Sequence, residues 1–188
     1  KDGGQYIDTD YSANENTKVV MNAYIPPKEE QSDAWCVLFG SRTVTDWAVK
    51  SFSIQLFGME FIRFAYNGES VDGSAIPFGE RLTIMCDKEQ LVWTGGKPGY
   101  KVVMVPPLVK SKSTLYIFGD NTVEKDDEKC NGPFNPSVMK LFSFKIFEGY
   151  DLVRDFVPCV SETEGAGLYD TVEGKFYPNK GGTAFVTP

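Results

Sequence analysis

Any chemistry in this chain has to be done without histidine, because none occurs among its 188 residues. That removes Ser-His-Asp and Cys-His catalysis, histidine zinc sites and the usual acid–base group at neutral pH. Four cysteines are present, but no two stand at the C-x2-C spacing of a thiolate metal site. The glycines of "TGGKPG", Thr94 to Gly99, precede a lysine yet lack P-loop spacing and the following Ser/Thr. They read as a turn. Carboxylates are what remains, and a retaining glycosidase needs two of them ~5–5.5 Å apart. No strand pattern carries such a pair. The densest acidic run, Glu124, Asp126, Asp127 and Glu128, interleaves with Lys125 and Lys129 and reads as a solvated loop. No enzyme is expected.

Two binding chemistries are left. Ca2+ takes oxygen ligands from Asp and Asn sets, and Asp8, Asp10, Asn14 and Asn16 crowd one loop, with Asp120 and Asn121 a second candidate. The same residue types also bond their own backbone in ordinary turns. Calcium is therefore the one cofactor with candidate ligands, and none is required. A sugar would use an aromatic platform beside polar side chains. Trp47, in the polar "TVTDWAVK", is the first choice, and Trp93 and Tyr100 flank the "TGGKPG" turn. Trp93 shares the phase of Leu91 and so also fits a core. Trp35 is expected to be buried beside Val37 and Phe39.

The elements that must position these residues have a period of two. Phe52, Ile54 and Leu56 alternate with Ser51, Ser53 and Gln55, and Leu82, Ile84 and Cys86 repeat the pattern. Val19, Met21 and Ala23 face away from Lys18 and Asn22, and Phe142, Phe144 and Ile146 are expected on one face against Ser143 and Lys145. Such alternation marks strands with one buried and one wetter face. Asn67-Gly68 is a two-residue hairpin signal, and Gly58, Asp72-Gly73, Gly95-Gly96, Glu148-Gly149 and Glu173-Gly174 are read as further turns. Pro106-Pro107 ends a strand, and Asp120 to Val138 reads as a long polar loop with one helical turn at its end. No repeat or linker divides the chain, so residues 1–188 form one domain, an all-β two-sheet antiparallel sandwich.

Composition narrows the partners. The formal net charge of -7 argues against nucleic acid, which needs clustered cations. No apolar run approaches the ~20 residues of a membrane-spanning helix. Aromatics make up 14% of the chain, which favours pleated, half-buried strands. Cys36, Cys86 and Cys159 lie in or beside apolar strand patterns and are expected as free buried thiols; Cys130 sits in the charged loop.

The two ends carry a family resemblance. "QYIDTDYSANENTKVVM" (Gln5 to Met21) and the stretch from "LFSFKIFEG" through "LVRDFVPC" to "GLYDTVEGKFYPN" (Leu141 to Asn179) resemble bacterial concanavalin A-like (laminin G-like) jelly-roll domains. "WCVLFGSR" and "LYIFGDN" match more loosely, and the landmarks cover about half the chain. Asp10, where relatives commonly carry Gly, and the acidic loop depart from the pattern. The resemblance implies a jelly roll whose first and last strands meet, with Gly167 to Tyr177 as a closing hairpin and Phe142, Phe144, Ile146 and Val157 as core. It also implies an exported bacterial module at the cell surface, its signal or anchor lying before Lys1. The expected function is non-catalytic binding of carbohydrate or another surface component. The alternatives are a structural or adhesive module held by protein contacts and, third, a glycoside hydrolase. The fold hosts all three.

Overall fold

A computed structural model describes residues 4–31, 35–44, 49–104, 110–123 and 134–186. Trp47, Pro106-Pro107, the acidic run 124–129 and Cys130 lie outside the described residues. The strands in chain order are β1 (Ile7–Asp8), β2 (Thr17–Ile25), β3 (Trp35–Val44), β4 (Val49–Phe57), β5 (Phe61–Tyr66), β6 (Glu69–Ala75), β7 (Glu80–Cys86), β8 (Gln90–Thr94), β9 (Gly99–Val102), β10 (Tyr116–Ile117), β11 (Asp120–Val123), β12 (Lys140–Glu148), β13 (Asp151–Ser161), β14 (Gly165–Asp170) and β15 (Lys175–Pro178). One 3-10 turn, Lys28–Glu30, interrupts them.

The strands form two sheets that pack face to face as a jelly-roll sandwich. A seven-stranded sheet runs β1-β10-β3-β4-β5-β6 with β11 beside β3, and an eight-stranded sheet runs β15-β14-β13-β12-β2-β7-β8-β9. The period-two residues fill the space between. Phe52, Ile54 and Leu56 point inward from β4 and Val19, Met21 and Ala23 from β2, all fully buried. Phe39 meets Phe144 edge to face at 5.0 Å, one ring from each sheet. Asn67 and Gly68 take φ of 48° and 87° in the β5–β6 hairpin, the left-handed pair such a turn requires.

The chain ends meet as the resemblance implies. Tyr6 N–H donates to Asn179 Oδ1 at 3.1 Å, and Lys180 N–H donates to Tyr6 O at 2.9 Å. The β14–β15 hairpin is locked by Asp170, whose Oδ1 accepts the N–H groups of Asp155 (2.8 Å) and Val172 (3.0 Å). Arg154 and Asp155 point to opposite faces of β13 and pair elsewhere. Arg154 faces Asp170 at 3.5 Å and Glu173 at 2.7 Å, while Asp155 binds Lys145 at 2.8 Å.

Several expectations about the strands need correction, and two of them share a cause. A bulge between Val37 and Phe39 in β3 sets two residues against one and reverses the phase. Phe39 therefore faces the core, while Trp35 faces outward and is 48% exposed. A second bulge, between Leu141 and Ser143 in β12, puts Leu141 in the core and leaves Phe142 half-buried, with the Arg81 guanidinium 3.9 Å over its ring. Asp72-Gly73 makes no turn: it lies inside β6. The expected polar loop begins with a strand, because β11 runs parallel to β3 with Asp120 beside Gly40 and Val123 beside Thr43. That ladder also departs from an all-antiparallel plan. Val157, next to buried Phe156, takes the opposite face and is half-buried. No disulfide joins Cys36, Cys86 and Cys159; the first two are buried and Cys159 is half-buried.

Candidate functional site

Of the ligand-binding residues expected from sequence, Trp93 and Tyr100 do not share a face. Trp93 is 5% exposed; its indole N–H donates to Lys97 O at 2.8 Å, and a β-carbon on Gly99 would come within 2.6 Å of its ring. Buried against that glycine, Trp93 is core and offers no face to a sugar. Tyr100 is 69% exposed on β9, an edge strand of the eight-stranded sheet. It is opposite Val92, on the outer side of that sheet. Trp47 lies outside the described residues.

The expected calcium loop is occupied by protein contacts. Asp8 Oδ1 accepts the N–H of Asp10 at 3.0 Å, the ordinary turn chemistry of aspartate. Asp10 pairs with Lys175 at 2.7 Å. The Asn14 amide donates to Glu148 Oε1 at 2.7 Å, and its Oδ1 accepts the N–H of Asn16. Among the described residues no group of three Asp, Glu or Cys side chains could hold a metal ion. The second candidate pair is divided by the sheet. Asn121 faces the interior beside Ser41 and donates to Thr114, whereas Asp120 faces outward.

The outer face of the seven-stranded sheet gathers a different set. Register places side chains in rows across the strands. Trp35, Phe57 and Phe61 form one row, Gln55, Arg63 and Asp72 the next, and Asp120, Gly40, Ser53 and Ala65 a third. Four residues of β4 separate Ser53 from Phe57, about 14 Å at ~3.4 Å per residue.

The aromatic end is pre-organised. Trp35 and Phe57 meet edge to face at 4.0 Å, and Phe57 stacks on Phe61 at 5.4 Å. Arg63 lays its guanidinium 3.4 Å over Phe57 and holds Asp72 through two bonds, of 2.6 and 3.0 Å. The flat guanidinium is thus fixed on both its face and its edge.

At the other end lies Asp120, 5% exposed. A β-carbon on Gly40 would stand 2.7 Å from its Oδ1 and 2.4 Å from the Ser53 β-carbon. Only glycine lets the carboxylate lie against the sheet. Ser53 Oγ accepts from Gln55 Nε2 at 3.0 Å, and Asp120 Oδ1 has no hydrogen-bond partner among the described residues. Burial pushes the Asp120 carboxyl up to about 6, against the opposing pull of Arg42 and a bond from Thr122. A buried carboxylate oxygen without a donor carries a desolvation cost that a ligand hydroxyl or N–H would remove.

Sequence reasoning missed Trp35 because of the β3 bulge, and missed Phe57, Phe61, Arg63 and Asp120 because no motif joins them. Ser51 and Ser53 of β4, expected on the wetter face, are themselves buried, so the alternation of that strand gave no sign of the site.

No family model matches the chain, and no curated protein matches its sequence. Among solved structures it is similar to domains LG4-5 of the mouse laminin alpha1 chain, at 11% identity and a TM-score of 0.48, over 81% of this chain and 41% of that one. It is also similar to Scytalido-glutamic peptidase with a peptide-based transition state analog, at 11% identity and a TM-score of 0.40, over 90% and 88% of the two chains. A third is SCP-B, a member of the eqolisin family of peptidases, in complex with the tripeptide Ala-Ile-His, at 12% identity and a TM-score of 0.40, over 93% and 89%. The chain spans less than half the length of the laminin chain. No residue role passes from these structures to this one.

Proposed function

We propose that this chain is a non-catalytic carbohydrate-binding module and that its binding face is the outer side of the seven-stranded sheet. The observation that carries the reading is Asp120 Oδ1, a buried acceptor without a donor, at one end of a face whose other end is an exposed indole. Sugars present both complements, hydroxyl donors for the carboxylate and C–H faces for the aromatic rings. The ~14 Å between the two ends suits an extended glycan of more than one ring.

Absence of turnover is part of the proposal. Asp120 has no second carboxylate in its row, and a pair is what glycoside hydrolysis uses. An exported, cell-surface setting fits free glycan as the ligand and follows from the resemblance alone. The structural or adhesive reading differs in one respect: a protein partner, not a glycan, would cover Trp35.

A glycan array on the purified chain tests this directly. Binding of at least one glycan is expected, weakened about tenfold or more in Asp120→Asn, since a buried charge-assisted bond is worth roughly 1.5–3 kcal/mol. An array without a hit would overturn the carbohydrate reading, and release of reducing sugar from a bound glycan would overturn the non-catalytic one.

A further inference from the structure

The β12 bulge has a second consequence. β12 and β13 pair only from Phe144 opposite Phe156 to Glu148 opposite Asp151, with a register shift between Ile146 and Phe147. Before that stretch, Lys140–Ser143 stays with β2, while Val157–Ser161 stays with β14. The two half-strands part, and residues of both line a cleft of about 540 Å3. That volume lies within the roughly 300–1,000 Å3 of small-molecule sites.

The walls are mostly apolar, with Leu141, Pro158, Leu168 and Phe185 among them. The C-terminal segment forms one side. It is fixed by Phe185 against Phe118 at 4.8 Å and by the bond from Gln5 Nε2 to Ala184 O. The free thiol of Cys159 lies in the lining too. The chain carries 26 acidic residues against 19 basic ones, yet this lining holds no Asp or Glu among the described residues. Its one charged side chain is Lys140.

We propose that the cleft binds a soluble single-chain amphiphile with an anionic head, a medium-chain carboxylate. Its tail lies against Leu141, Pro158, Leu168 and Phe185, and its carboxylate meets Lys140. Burial of the tail drives binding, and the single ammonium sets the sign of the head group. A cationic head would meet like charge, which discriminates by repulsion as well as by loss of a pair. This site is separate from the face around Asp120 and does not depend on it.

Decanoate, kept below its micellar concentration, is titrated into the full chain by calorimetry, and maleimide labelling of Cys159 is followed by peptide mapping. One-site saturable binding is expected, with Cys159 labelled about tenfold more slowly at saturation, the protection that saturating occupancy confers. Ala166→Phe, which fills the cleft, should abolish both effects. Lys140→Gln should weaken binding about tenfold, or about 1.4 kcal/mol. Where Ala166→Phe does not fold, Val160→Glu carries the test, because that position is 65% exposed and the new charge repels the head group. Three results would each overturn the proposal: no saturable binding, equal binding of decyltrimethylammonium, or undiminished binding in folded Ala166→Phe or Val160→Glu.

Discussion

Asp170 and Asp120 are two buried aspartates on opposite sheets, and their surroundings differ in kind. Asp170, at the end of β14, is fully buried, accepts two backbone N–H groups and faces Arg154. Asp120, at the start of β11, is almost as deeply buried; each carboxylate has one oxygen without a hydrogen-bond partner, and that of Asp120 faces no ion-pair cation among the described residues. The first carboxylate completes a hairpin and lies inside the structure it stabilises. The second is held against Gly40 on an outward face, at a cost that folding alone does not recover. A buried acid whose unbonded oxygen still faces a guanidinium at 3.5 Å, as in Asp170, marks architecture; a buried acid with an oxygen that meets neither donor nor ion pair among the described residues marks a place where something else is expected to bind.

The largest effect that could break this comparison is at the hairpin. Asp170→Ala should cost about 3–5 kcal/mol, because it leaves Arg154 opposite an empty site as well as freeing two N–H groups. Urea unfolding followed by circular dichroism measures it, and a loss below 1 kcal/mol would remove the structural assignment. Asp120 should show the opposite sign. Its folded carboxyl titrates near 6, above the ordinary range, so the folded chain holds that proton more tightly than the unfolded one. Its contribution is therefore fully present below about pH 4 and is lost as pH rises to about 6. Asp120→Asn should stabilise the chain by about 3 kcal/mol at pH 7 and by less than about 1 kcal/mol at pH 4. Thermal unfolding at the two pH values checks both the sign and the window.

Smaller effects sharpen the contrast between aromatic residues. Trp35→Ala removes one edge-to-face contact from an exposed ring and should cost about 1 kcal/mol. Tyr100→Ala, on an exposed edge, should stay within about 0.5 kcal/mol. Cys36 and Cys86, both fully buried, should resist a thiol reagent until the chain is denatured. Burial, with the charge of Asp87, also pushes the Cys86 thiol well up.

The fold was legible because its signals are local and repeated. Ser51 to Leu56 alternates through β4, Asn67-Gly68 turns where the dipeptide says it should, and the Gly167 to Tyr177 hairpin closes the sandwich. What sequence could not reveal hangs on two single-residue events. A bulge is one extra residue, invisible in an apolar run, and it shifts every residue on one side of it to the other face. The bulge at Leu38 moves Trp35 outward, and the one at Phe142 parts β12 from β13. The candidate site draws on β3, β4, β5, β6 and β11, whose members are up to 85 positions apart in the chain, from Trp35 to Asp120.

The central claim is that the outer face of the seven-stranded sheet, and not the Tyr100 edge, holds the glycan. Affinity of a glycan found on the array is measured by calorimetry for the parent chain, Trp35→Ala and Tyr100→Ala. The account predicts a loss of about 1–3 kcal/mol for Trp35→Ala, the range for truncating an aromatic anchor, with Tyr100→Ala unchanged. Undiminished affinity in folded Trp35→Ala, or a loss confined to Tyr100→Ala, would contradict it.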